Sequence, residues 1–172
     1  MTKRLRVVGM GLVVVGIVAV GLAVIAPADS SLTGPARIID GDTLVVRRLS
    51  VRLYGIDAPE STQYCRLGGL TWPCGRAAVQ VLSRRIGSRE VSCEKRDRDR
   101  HGRVVAVCRV GGEDVNAWMM AEGWAFAYRK YSKRYVPHET AARAAKRGIW
   151  KGEVVAPWEW RKGKRFADIR NK

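Results

Sequence analysis

The sequence predicts a mainly β protein, a small barrel with helices packed on it. Segments that alternate apolar and polar residues between Gly and Pro come first, and one segment of helical spacing interrupts them. A second pair of strand-like segments then precedes two more helical ones. A doubly wound sheet would alternate strand and helix throughout, and this order excludes it.

The chain begins with a leader. Lys3, Arg4 and Arg6 precede an uncharged apolar run over residues 7–26, and Ala26-Pro27-Ala28 has the small-x-small pattern that signal peptidase accepts. The run lacks the polar face of a folded core helix. At about 20 residues it is long enough to cross a bilayer as a helix if Pro27 blocks cleavage. The basic residues favour a cytoplasmic N-terminus. Residues 1–28 are therefore expected to be a signal peptide or membrane anchor, 29–157 the folded domain and 158–172 a basic C-terminal tail. The domain is expected outside the cytosol, secreted or periplasmic if the leader is cut and otherwise tethered to the cytoplasmic membrane.

Within the domain, residues 35–39 lead into 43–47, and 50–56 alternates in polarity, which predicts antiparallel strands joined near Arg48. The period changes at Gly75. Ala78, Val79, Leu82 and Ile86 recur at helical spacing, with Arg76, Arg84 and Arg85 largely opposite, so a helix is expected over 76–86. Strand character returns in 90–94 and 103–110, either side of the polar turn Asp97-Arg98-Asp99-Arg100-His101-Gly102. Arg103 thus opens a strand and can point across the barrel mouth. Asp114 can cap a short helix through Ala121 that Gly123 stops, and a last helix over 137–146 starts at Pro137 and ends before Gly148. Residues 161–172 have little apolar periodicity and are expected to fray.

With 32 Lys and Arg against 16 Asp and Glu, the chain carries a formal net charge of +16. Such a surface draws polyanions, but charge alone does not separate an enzyme from a passive nucleic-acid binder or a surface that touches anionic lipid. Repulsion between basic faces favours a monomer. Of the four cysteines, Cys65 and Cys74 bracket one loop while Cys93 and Cys108 lie on neighbouring strand-like segments. The simplest pairing is therefore Cys65 with Cys74 and Cys93 with Cys108, although sequence leaves the two other pairings and free thiols open. A zinc site lacks a CxxC pair and has only His101 and His138 to complete it.

Chemistry concentrates in three runs: Asp40-Gly41-Asp42-Thr43, Arg52-Leu53 with Ile56-Asp57-Ala58-Pro59-Glu60, and Asp99 with Gly102-Arg103. Taken singly, each of these residues has an ordinary turn or surface role. Together they place hard-cation ligands beside forked phosphate binders. With Val115-Asn116, Glu122-Gly123, Ala144-Ala145 and Gly148-Ile149-Trp150, they form an ordered set over residues 36–150 that resembles the staphylococcal nuclease-like, or thermonuclease, family.

The resemblance implies an OB-type five-stranded β-barrel with three packed α-helices. It implies a Ca2+ ion bound by Asp42, Asp57 and the backbone carbonyl of Ala58, with Asp40 in the outer shell. Glu60 would be the general base, and Arg52 and Arg103 the phosphate clamp. The implied activity is a calcium-dependent nuclease that hydrolyses single-stranded or frayed DNA and RNA and leaves 3′-phosphate ends. Tyr128 and Tyr131 would lie near the base, and His101 stands where better-known relatives carry a tyrosine. The alternatives are a noncatalytic exported nucleic-acid-binding module and an envelope interaction domain. Asp99 is expected to be structural, Asn116 a buried hydrogen-bonding hub, and the tryptophans mostly core.

Overall fold

The computed structural model describes residues 31–166. The leader at residues 1–28 and the last six residues of the tail fall outside them. In chain order the elements are β1 (Ser31–Gly34), β2 (Ala36–Ile38), β3 (Thr43–Val46), β4 (Leu49–Leu53), β5 (Ile56–Asp57), β6 (Cys65–Leu67), β7 (Leu70–Trp72) and α1 (Cys74–Ile86). There follow β8 (Val91–Arg98), β9 (Val104–Val110), β10 (Glu113–Asp114), α2 (Val115–Ala121), β11 (Phe126–Ala127), α3 (Val136–Ala144), a 3-10 turn (Gly148–Lys151) and α4 (Pro157–Trp160).

One curled, nearly closed sheet runs in the order β1-β8-β9-β4-β3-β2, and β10 pairs with β9. Packed against helices, it is a half-barrel of OB type. Neighbouring strands are antiparallel except β4 and β9, which run parallel with Arg52 beside Val105. The five expected strands are present within a 7-stranded sheet. The additional pairings are made by short segments: Leu32 faces Cys93 across β1 and β8, and Glu113 faces Val110 across β10 and β9. Strands of two to four residues are too short to display alternation in sequence.

Burial explains the expected periods. Leu44 and Val46 on β3 and Val51 and Leu53 on β4 alternate into the core. There they meet Ala106 and Cys108 of β9 and the Ala78, Leu82 and Ile86 stripe of α1. A fully buried aliphatic side chain of this kind contributes about 1.5–3 kcal/mol. A second cluster joins Cys65, Cys74, Phe126 and Ile149 to Trp72, Trp124, Trp150 and Trp158, so most of the tryptophans are packing residues. Asn116 is buried at the head of α2, accepts from the Cys108 N–H at 3.1 Å and donates to the Tyr54 and Ala106 carbonyls. It is the expected hub between helix and sheet.

The cysteines form Cys65–Cys74 and Cys93–Cys108 disulfides. The first ties the β6–β7 hairpin to the start of α1, and the second crosses directly opposed positions of β8 and β9.

The described residues overturn the expected membrane-anchored form. Among the described residues no helix is long and apolar enough to cross a membrane. The longest, α1, has 13 residues, well short of the ~20 a span requires. The apolar run that prompted the expectation lies outside the described residues. The C-terminal segment also differs from the expected frayed tail: Pro157 is buried at the start of α4, and the Phe166 ring lies under the Arg66 guanidinium at 4.9 Å. Trp158 anchors a stretch whose helical content is a single turn, too little to give a periodic signal.

Candidate active site

The floor of the site is a pair of buried carboxylates. Asp42 precedes β3 on a loop that Gly41 lets settle against the domain, because a Cβ on Gly41 would stand 2.7 Å from Ala58 Cβ and 3.0 Å from Ala78 Cβ. Asp40 braces that loop by accepting the Asp42 N–H at 2.9 Å. The Asp42 carboxylate accepts from the Ala58 N–H at 2.8 Å, the Thr43 hydroxyl at 3.0 Å and Arg52 Nη1 at 2.6 Å. Arg52 lies opposite Thr43 in the β3–β4 ladder, and its Nη2 donates to Asp57 Oδ1 at 2.5 Å. One guanidinium therefore holds two carboxylates from separate segments together.

Burial pushes the Asp42 carboxyl up to about 6, although Arg52 opposes the shift. Asp57 is also raised by burial, against the pull of Arg161 and Arg52. Burial works against the charge of Arg52, but Asp42 and Asp57 hold it firmly protonated. Two carboxylates with so little water depend on nearby positive charge to stay ionised.

Above them opens a cleft of about 710 Å³. Asp40, Arg52, Glu60, His101, Arg103, Tyr128 and Tyr131 all line it, while Asp42, Asp57 and Ala58 lie buried beneath. The sequence-derived set thus comes together around one opening. Arg103 enters from the turn before β9, where Asp99 accepts its backbone N–H at 3.0 Å and its Nε at 2.7 Å. Although Asp99 is slightly buried, those bonds keep its carboxyl below the usual range, which is the expected structural role. His101 is exposed on the same turn and accepts from Arg100 Nε at 3.2 Å. Tyr128 meets Tyr131 edge-on at 4.8 Å and lies parallel to Trp158 at 5.9 Å.

Glu60 sits on a turn closed from two sides. Gln63 donates its N–H to the Glu60 carbonyl at 2.7 Å and its buried side chain to the Val155 carbonyl at 2.7 Å. The first turn of α1 presses on the same carbonyl at Gly75.

Arg161 is the residue that sequence reasoning missed. It follows α4 and donates to both Asp57 oxygens, at 3.1 and 2.8 Å, and to Glu60 Oε1 at 2.6 Å. Its position is set by contacts about a hundred residues away in sequence, and no local pattern announces them.

For a calcium ion the donors fit in kind. They are hard carboxylate oxygens, and Asp42 and Asp57 already converge on a shared positive charge. Among the described residues no group of three or more His, Cys, Asp or Glu side chains gathers closely enough to hold a metal ion. Asp57 instead has a second guanidinium, that of Arg161, across both of its oxygens.

Comparison with known proteins gives the family of the chain. Residues 50–152 match the family described as staphylococcal nuclease homologue. The chain is 34% identical to the micrococcal nuclease of Shigella flexneri over 87% of its own length and 91% of the relative's. It is 35% identical to protein ParB of Escherichia coli, with 82% and 85% covered, and 35% identical to the succinoglycan biosynthesis protein ExoI of Rhizobium meliloti (strain 1021), with 74% and 69% covered. The family match spans more than half of the chain and includes Arg52, Asp57, Glu60 and Arg103, so the protein belongs to the staphylococcal nuclease homologue family.

Proposed function

We propose that the protein is a calcium-dependent phosphodiesterase that hydrolyses single-stranded or frayed DNA and RNA with little sequence preference and leaves 3′-phosphate ends. The observation that carries this reading is the convergence of Asp42 and Asp57 on Arg52, beneath a cleft that also presents Glu60 and Arg103.

Asp42, Asp57 and the Ala58 carbonyl would hold the ion, with Asp40 behind them. When bound, calcium supplies Lewis acidity and offsets repulsion between an incoming oxygen and the phosphate anion. Glu60 takes the proton of the attacking water at its carboxylate. Arg52 and Arg103 place N–H donors against the phosphate, where they gain strength as charge builds on its oxygens. The water oxygen bonds to phosphorus as the bond to the 5′ oxygen breaks, and that oxygen takes a proton from solvent and leaves as a hydroxyl. Tyr128, Tyr131 and His101 line the cleft as surfaces for bases. Contacts of this kind read backbone and stacking, so sequence matters little. The basic surface favours the polyanion over neutral substrates.

The test is cleavage of single-stranded DNA over a calcium titration. Fragments should accumulate with calcium and stop with chelator, and Glu60→Gln should lower the rate by about 10²–10⁴-fold while circular dichroism stays unchanged. Binding of the DNA without fragments at any calcium concentration would instead make the domain a noncatalytic binding module.

A further inference from the structure

Arg161 closes the site from a segment that is otherwise committed to packing. Trp158 stands edge-on to Phe126 at 5.4 Å and parallel to Tyr128, and Gln63 holds the Val155 carbonyl six residues before Arg161. The backbone that carries Arg161 is thereby fixed against the wall of the cleft. Its side chain is 38% exposed, so the guanidinium borders water. Asp57, by contrast, is fully buried, and both of its oxygens face Arg161.

A guanidinium laid across a buried carboxylate does electrically what a metal ion would do: it keeps the carboxylate ionised and in place. The same fork reaches Glu60 Oε1, so one group spans the Asp57 ligand and the Glu60 base. We propose that Arg161 is a positioning residue of the active site, tying Glu60 to Asp57 and holding the cation position on Asp57 until a divalent ion takes it. Arg161 would then compete with a divalent ion for the Asp57 carboxylate, on which Arg161 lies against Oδ2 and Arg52 against Oδ1. The metal-free site remains assembled, and its affinity for calcium is lower than its carboxylates alone would give. This inference rests on the calcium reading above.

The test uses the full chain and two variants, Arg161→Gln and Arg161→Lys, with calcium chloride titrated by calorimetry and thermal unfolding followed in chelator and in calcium. Loss of the competing charge should make Arg161→Gln bind calcium about tenfold more tightly than the parent. Its metal-free form should melt at a lower temperature, and calcium should close most of that gap. Arg161→Lys keeps the charge but not the fork and should fall between the two. General damage to the site would weaken calcium binding, so the direction of the change separates positioning from a merely structural role. If the parent binds calcium and Arg161→Gln binds it no more tightly, the role of Arg161 falls while the calcium reading stands. If neither protein binds calcium, the calcium reading fails and takes this inference with it.

Discussion

At Gly75 a single missing carbon decides where Glu60 sits. A Cβ there would lie 1.7 Å from the Glu60 carbonyl oxygen, a backbone atom that cannot swing aside. Gly75→Ala should therefore push α1 and the Glu60 turn apart and cost about 1–3 kcal/mol of stability, read by chemical denaturation, with cleavage falling further than the stability loss explains. Individual residues were unevenly legible in sequence. Asp42, Arg52, Asp57, Glu60 and Arg103 occur in short runs whose chemistry is self-consistent, and the fold draws them around one cleft. Arg161 and the buried Gln63 had no such signal, because each acquires its meaning from a partner far along the chain.

Among the elements, the β3–β4 hairpin turns at Arg47 and Arg48 with φ of 46° and 68°. A two-residue turn with both φ values positive suits the twist of the strands but strains side chains with a Cβ. Replacing Arg48 with Gly should relieve that strain and stabilise the domain by about 0.5–1 kcal/mol, visible as a rise in the urea midpoint. It should leave Arg52 in register, because the loop length is unchanged. Long elements were legible because burial imposes a period on them: α1 carries Ala78, Leu82 and Ile86, and the inward residues of β9 include Ala106 and Cys108. The β6–β7 hairpin, with three-residue strands and exposed Leu67 and Leu70, has no buried stripe to reveal it.

Over the whole molecule, the Cys65–Cys74 bridge lies inside the aromatic cluster, with Cys65 on the β6–β7 hairpin and Cys74 at the head of the helix that braces Glu60. Replacing both cysteines by Ala should cost about 2–3 kcal/mol, since a short loop is no longer closed in the unfolded chain. The measurement is a denaturation curve under non-reducing conditions beside the parent. The parallel pairing of β4 with β9 has a different kind of consequence. It aligns Arg52 with a strand that begins only after residue 103, so Arg52 and Arg103, the two arginines of the proposed phosphate clamp, meet through a long-range crossover. A chain emerging from the ribosome exposes Asp42, Arg52 and Glu60 well before that partner strand exists. Under the proposed function, cutting ability should thus arrive with the closing of the barrel, leaving a half-made polypeptide harmless to the message that encodes it.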